Sequence, residues 1–120
     1  MYKLGQTISL YFHIPFCMTK CNYCDFNTFA GINDLMPAYV NALVDEIDLW
    51  GQVVPSNTRV PSIFFGGGTP SLLPIASLEK ILDACHNNFD LAEDIEISLE
   101  ANPGDLSPSV LSGQLKVGIN

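Results

Sequence analysis

Three cysteines, Cys17, Cys21 and Cys24, lie in the single short segment HIPFCMTKCNYCDF. Thiolates are soft ligands that select zinc, copper(I) or iron–sulfur clusters. A structural zinc site is closed by four ligands, commonly two cysteine pairs that are well separated along the chain, whereas this segment offers three. A tight trio matches better the way in which one loop wraps a cubane cluster and leaves the fourth iron open. The spacing therefore favours a 4Fe–4S cluster with an open metal position, as a catalytic site requires.

Other interpretations of the cysteine loop stay open. Zinc could bind the trio together with His13 or a remote ligand, and the thiols could be unbound or form a disulfide. Lys20 could favour thiolates by its charge, or be an ordinary exposed lysine. Cys85 falls on the apolar stripe of a predicted helix, so we expect a buried small hydrophobe and not a ligand. We assign no catalytic role to His13 or His86.

Composition limits the class of protein. The chain has 120 residues, 48% of them apolar, which fits one domain with a real core. Its net charge is −8, which provides no basic surface for nucleic acid or anionic lipid. The sequence shows no run of apolar residues long enough to span a membrane and no secretory signal pattern, so we expect a cytoplasmic protein. In that reducing compartment, clustered cysteines are typical of metal or redox sites.

Strands and helices alternate along the chain. Strand patterns cover residues 8–14, 62–65 and 95–99, where β-branched and aromatic residues concentrate or alternate with polar ones. Helical spacing begins at Pro37, with Asp34 near the cap, and ends at Trp50, with Gly51 as the expected terminator. A second helix is predicted from about Pro74, and a third from the cap Ser107 to about residue 115.

This order predicts an α/β fold with parallel strands, either an open sheet or part of a barrel. The last four residues, VGIN, could begin a fourth strand, so residues 1–120 are expected to be the amino-terminal part of a larger protein. In such folds, ligands gather at the carboxyl ends of the strands. The cysteine loop follows the first strand, GGGTP follows the second, and Glu100 closes the third, so all three are predicted to share one edge.

Each of these features also has an ordinary explanation when it is taken alone. The glycines Gly66 to Gly68 would let the backbone approach a small charged group, but they could equally form a tight turn. Glu100 could bind a ligand or be a solvated carboxylate, and Tyr11 could pack in the core. Neither a phosphate-binding loop nor a dinucleotide fingerprint is present.

Taken together, the motifs resemble those of a known family. The Cys-x3-Cys-x2-Cys spacing is similar to the signature of the radical S-adenosylmethionine (SAM) superfamily. Within it, LYFHIPFCMTKCNYCDF, FFGGGTPSLL and EISLEANPGDL resemble the oxygen-independent coproporphyrinogen III oxidase group, and most closely its HemW heme-chaperone family. The similarity runs from about Ser9 to the last residue. It implies three βα units of a partial (β/α)6 TIM-like barrel, truncated at residue 120.

The resemblance also implies cofactors and site residues. It implies a 4Fe–4S cluster whose free iron chelates SAM, and reductive cleavage of SAM in the full-length protein. No catalytic residue is assigned. The cluster ligands would be Cys17, Cys21 and Cys24, and the cofactor contacts Tyr11, Tyr23, Gly67, Gly68, Thr69 and Glu100.

The implied function is heme delivery to an acceptor protein, with heme or porphyrin as a ligand and an electron donor as a partner. Peripheral contact with a membrane-bound acceptor would be compatible with this function. The oxidase group carries a further cysteine two positions after the third ligand, where this chain has Phe26 after Asp25. That difference favours the chaperone over decarboxylation of coproporphyrinogen III. A non-enzymatic heme carrier with a structural cluster is a third possibility.

Overall fold

A computed structural model describes residues 6–17, 29–30 and 33–120. Strands and helices alternate over most of this length. In chain order the elements are β1 (Leu10–Ile14), β2 (Phe16–Cys17), β3 (Phe29–Ala30), α1 (Met36–Val53), β4 (Arg59–Gly67), α2 (Ile75–Asn88), β5 (Asp90–Leu99) and α3 (Pro108–Val117).

The main sheet has three parallel strands in the order β1-β4-β5. The register sets Leu10 beside Ile63 and Ile14 beside Gly67, and on the other side of β4 it sets Phe65 beside Leu99. The short strands β2 and β3 form a separate parallel pair just beyond β1. The predicted α/β class with parallel strands and intervening helices is therefore confirmed.

One face of the sheet forms the core with the helices. Phe12, Ile63 and Phe65 point to this face, are buried, and join a cluster with apolar residues of α1 and α2. The rings of Phe12 and Phe65 stack with centroids 5.1 Å apart. Residues at alternate positions, such as Tyr11 and Phe64, are exposed, because strand side chains alternate between the two faces. We call the face that carries Tyr11 and Phe64 the open face.

The strands are longer or shorter than their patterns predict. β4 extends from Arg59 through Gly67 because Gly66 and Gly67 continue the ladder opposite His13 and Ile14. The glycine run is therefore partly strand and not only a turn. β5 begins at Asp90, before the predicted start, while β1 begins at Leu10, after it.

The end of α1 differs from the prediction. The helix passes through Gly51 and ends at Val53. Gly51 lies against α2, and a Cβ placed there would be 2.7 Å from the Cβ of Asn88 and 2.2 Å from its Oδ1. The glycine therefore permits two helices to approach each other and does not terminate one. At the other end of α1, Asp34 lies in a preceding 3-10 turn and the N-cap Leu35 makes no side-chain cap hydrogen bond.

The third helix agrees with its pattern. The Val110 amide donates to Ser107 Oγ at 3.2 Å, which is the predicted N-cap. The strand predicted at the last four residues does not form, because Val117 still belongs to α3 and residues 118–120 lie outside any helix or strand. The Asn120 amide nevertheless donates to the Ile97 carbonyl at 3.0 Å, so this residue lies along β5. None of the helices in the described ranges is long and apolar enough to cross a membrane.

The contact between α1 and α2 predicts the effect of Gly51→Ala. This change normally stabilises a helix interior by up to about 1 kcal/mol. Here we expect it to lower the free energy of unfolding by about 1–3 kcal/mol, because the new methyl group overlaps Asn88. Urea denaturation measures this difference. In an Asn88→Gly background the overlap is removed, so Gly51→Ala should become neutral or stabilising. A stabilising effect in the unaltered protein would contradict the packing described.

Candidate functional site

The loops at the carboxyl ends of the strands are joined by backbone hydrogen bonds. After β1 the chain turns through Pro15 into β2, which ends at Cys17. The amide of Gly68 donates to the Ile14 carbonyl at 2.8 Å, and the amide of Thr69 donates to the Phe16 carbonyl at 2.7 Å. The segment after β4 is thereby fixed along the residues that precede the first cysteine.

Gly68 brings the backbone next to the cysteine sulfur. A Cβ at this position would lie 2.5 Å from the Phe16 carbonyl oxygen and 2.9 Å from Cys17 Sγ. Both distances are too short for a real side chain, so only glycine allows this approach. Cys17 itself is only 8% exposed. The thiol is therefore held against the glycine run.

Gly66 and Gly67 lie next to Glu100, the residue that follows β5. Gly67 has a φ of +108°, which glycine adopts without strain, and its amide donates to Glu100 Oε1 at 3.1 Å. A Cβ at Gly66 would lie 2.8 Å from the same Glu100 oxygen and 2.9 Å from a ring carbon of Tyr11. Glu100, Tyr11 and the glycines thus form one continuous surface.

Tyr11 lies on the open face and not in the core. Its side chain is 57% exposed, and its ring stacks on Phe64 with centroids 5.8 Å apart. Its hydroxyl lies 3.3 Å from His13 Nδ1. One face of the Tyr11 ring and its hydroxyl are therefore exposed at the edge of the sheet where Glu100 lies.

Tyr39 links α1 to the carboxyl end of β1 through a hydrogen bond and a ring contact. Its hydroxyl donates to the His13 carbonyl, and its ring packs edge-on against Phe16 with centroids 5.4 Å apart. Burial, and then the negative charge of Glu46, raise the pKa of Tyr39. The phenol consequently keeps its proton and stays a hydrogen-bond donor to the strand that leads to Cys17.

His13 is indicated by the sequence only as an alternative zinc ligand and Asn102 is not indicated at all, but both residues adjoin the site. The ring of His13 would lie 2.7 Å from a Cβ at Gly67, and Asn102 Nδ2 donates to Thr69 Oγ1 at 3.3 Å. The signal for His13 was its position two residues after Tyr11, which sets both side chains on one face of the strand. For Asn102 the sequence shows only a turn residue before Pro103, and nothing there indicates Thr69.

The structure brings together most of the predicted site residues: Tyr11, Cys17, Gly67, Gly68, Thr69 and Glu100. Cys21, Tyr23 and Cys24 lie outside the described residues, as does Lys20. Within the described ranges, no three His, Cys, Asp or Glu side chains are grouped to hold a metal ion. The described part still fits a thiolate-bound group, because it offers a shielded soft donor, an unobstructed backbone and a hydroxyl beside the sulfur.

Comparison with known proteins gives the family of this chain. A sequence model of the Radical SAM superfamily matches residues 11–120. The chain belongs to the radical SAM superfamily. The family implies a 4Fe–4S cluster and SAM in general terms, and the motif resemblance noted in the sequence is confirmed.

Curated relatives similar to this chain include heme chaperones named HemW. The protein from Mycobacterium tuberculosis strain H37Rv is 42% identical over 107 residues, which are 87% of this chain and 27% of that protein. The Escherichia coli K12 protein is 40% identical over 94% of this chain and 30% of its own length. The Synechocystis protein is 44% identical over 92% of this chain and 27% of its own length. This radical SAM chain thus spans less than a third of the length of these relatives.

A solved structure has the same fold. The radical SAM enzyme coproporphyrinogen III oxidase (HemN) from Escherichia coli superposes with a TM-score of 0.89 and 31% sequence identity. The match covers 99% of this chain and 27% of the enzyme. The sheet and helices described above are therefore part of a radical SAM fold.

Cys85 does not belong to the site. It lies in α2, is fully buried, and its thiol is in the core cluster, as predicted. Burial raises the pKa of this thiol from 9.0 to about 12. It is therefore a protonated core residue and not a ligand.

This buried thiol predicts a pH dependence of stability. Between pH 9 and 12 the unfolded chain loses the Cys85 proton while the folded chain keeps it. The free energy of unfolding should therefore fall as pH rises above 9, by up to about 1.4 kcal/mol per pH unit from this group. Urea denaturation at several pH values measures the slope. Cys85→Ala should show a shallower slope, and equal slopes for both proteins would contradict the assignment.

Proposed function

We propose that this chain is the cluster-binding and SAM-binding part of a radical SAM heme chaperone. Residues 1–120 would supply the first βα units of its core domain. The observation that carries the proposal is the position of Cys17 Sγ, which lies where a side chain at Gly68 would stand, beside the Gly67 amide that binds Glu100. Three strand ends thus bring a soft donor, a side-chain-free backbone and a carboxylate to one place.

In this proposal Cys17, Cys21 and Cys24 hold a 4Fe–4S cluster. When bound, the cluster and SAM would supply one-electron reductive cleavage of the sulfonium. The glycine run would receive the methionine part of SAM, because its backbone is not covered by side chains. Glu100 uses one oxygen for the Gly67 amide and retains acceptor capacity for ribose hydroxyls or the positive sulfonium.

Tyr11 would complete the SAM site from the open face. Its ring is stacked on Phe64 and its edge reaches Gly66, so it offers a flat apolar surface next to the acidic group. Tyr23 would lie beside the cluster, as the family resemblance implies. The ring stacking and the proximity to Gly66 support the role of Tyr11.

Heme delivery is favoured over porphyrin oxidation by two observations. The similar HemW chaperones are 36–44% identical to this chain, whereas the HemN oxidase is 31% identical. The oxidase group also carries a cysteine where this chain has Phe26. The whole protein would bind heme and transfer it to an acceptor protein, with an external electron donor for the cluster. Coproporphyrinogen III oxidation is the second candidate, which the shared fold with HemN favours.

Anaerobic reconstitution with iron and sulfide tests the cluster. We expect an absorption band at about 400 nm and about four irons per chain. Each of the variants Cys17→Ala, Cys21→Ala and Cys24→Ala should lose the band, while Cys85→Ala, which alters a buried core thiol, should keep it. One bound zinc with no iron or sulfide would contradict the proposal.

The reconstituted protein then separates the candidate functions. A heme chaperone should bind hemin, shown by a Soret band, and should leave coproporphyrinogen III unchanged in the presence of dithionite and SAM. Formation of 5′-deoxyadenosine would show cleavage of SAM. Decarboxylation of coproporphyrinogen III would select the oxidase, and heme binding without any SAM cleavage would select a non-enzymatic carrier.

A further inference from the structure

Thr69 directs its hydroxyl at the first cysteine of the predicted cluster loop. Thr69 Oγ1 donates to Cys17 Sγ at 3.9 Å and accepts a hydrogen bond from Asn102 Nδ2 at 3.3 Å. A hydroxyl has one hydrogen to donate. Because the Asn102 amide occupies a lone pair of Oγ1, the single hydrogen is left for the sulfur.

The burial of Thr69 limits the polar groups that its hydroxyl can reach. The residue is only 4% exposed, so its hydroxyl faces the sulfur and Asn102 and not an open cavity. Its amide is bound to the Phe16 carbonyl, which fixes the backbone beside the cysteine. The side chain is consequently oriented on two sides before any cofactor is present.

We propose that Thr69, oriented by Asn102, is a positioning residue that raises the reduction potential of a cluster bound through Cys17. This inference rests on the proposed function, since it requires that Cys17 is a cluster ligand. It assigns the Thr69 side chain to the sulfur, whereas the family resemblance implies only a contact with the methionine part of SAM. The Thr69 carbonyl accepts a hydrogen bond from the Leu72 amide at 3.0 Å, and its second lone pair is left for that contact.

The physical reason is the charge of the reduced cluster. One-electron reduction adds negative charge that is shared with the ligand sulfurs, and a hydrogen bond to sulfur stabilises the more negative state. Cys17 is shielded from water, so this hydrogen bond is weakened less by solvent than an exposed one. Reduction takes one electron from dithionite, and no covalent bond to Thr69 forms or breaks.

A redox titration of the reconstituted protein tests the inference, with reduction followed by absorbance and electron paramagnetic resonance. Thr69→Val keeps the shape of the side chain and removes the hydroxyl. We expect its equilibrium constant for reduction to fall about threefold to tenfold, where tenfold equals about 59 mV for a one-electron couple. Thr69→Ser keeps the hydroxyl and should stay close to the unaltered protein. Equal potentials in the unaltered protein and Thr69→Val would overturn the inference.

The variant Asn102→Asp tests whether Asn102 orients the Thr69 hydroxyl. A carboxylate only accepts hydrogen bonds, so it would draw the Thr69 hydrogen away from the sulfur and also add a charge. In a Thr69→Val background only the charge remains. We therefore expect Asn102→Asp to lower the potential more in the unaltered protein than in Thr69→Val. Equal effects in both backgrounds would show that Asn102 does not act through Thr69. That result would overturn the proposed role of Asn102 in orienting the Thr69 hydroxyl.

The iron and sulfide content separates this inference from the proposed function. If the unaltered protein forms no cluster, the proposed function and the inference both fail. If the cluster forms in the unaltered protein and in Thr69→Val with the same potential, only the inference fails. Loss of the cluster in Thr69→Val but not in Thr69→Ser would show that the hydroxyl retains the cluster instead of tuning it, which also overturns the inference.

Discussion

The site depends on two backbone hydrogen bonds that join the ends of β1 and β4. The amides of Gly68 and Thr69 donate to the carbonyls of Ile14 and Phe16, and these bonds align the residues after β4 with those before Cys17. The alignment is possible only because Gly68 has no side chain, as a Cβ would overlap both the Phe16 carbonyl and the Cys17 sulfur. The first cysteine is therefore positioned by the chain backbone, which is more rigid than a set of side-chain contacts.

The parallel register brings the other site residues to the same edge. Strands with parallel direction end at one side of the sheet, and alternation sets Tyr11 and Phe64 on the face that the helices leave open. The Gly66 position on this face adjoins both the Tyr11 ring and the Glu100 carboxylate, so the open face meets the carboxyl edge of the sheet there.

Much of this arrangement could be predicted from the sequence because it depends on local patterns. The strand and helix order, the cap at Ser107 and the burial of Cys85 follow from periodicity and residue chemistry. Gly51 could not be interpreted correctly, because a glycine required by a neighbouring helix looks the same as a helix terminator. The hydrogen bond between Asn102 and Thr69 could not be predicted either, because it joins two loops that are distant in sequence.

The segment GGGTP shows why a motif can be required at several successive positions. Gly66 allows Tyr11 and Glu100 to come close, and Gly67 adopts a positive φ that turns its amide to Glu100. The absence of a side chain at Gly68 leaves space for the Cys17 sulfur, and the Thr69 hydroxyl donates a hydrogen bond to that sulfur. Gly66 and Gly67 thus adjoin Glu100, and Gly68 and Thr69 adjoin Cys17, so substitutions in the two halves of the segment should differ in kind and not only in degree. A turn that merely connected a strand to a helix would not need to contact two other strand ends.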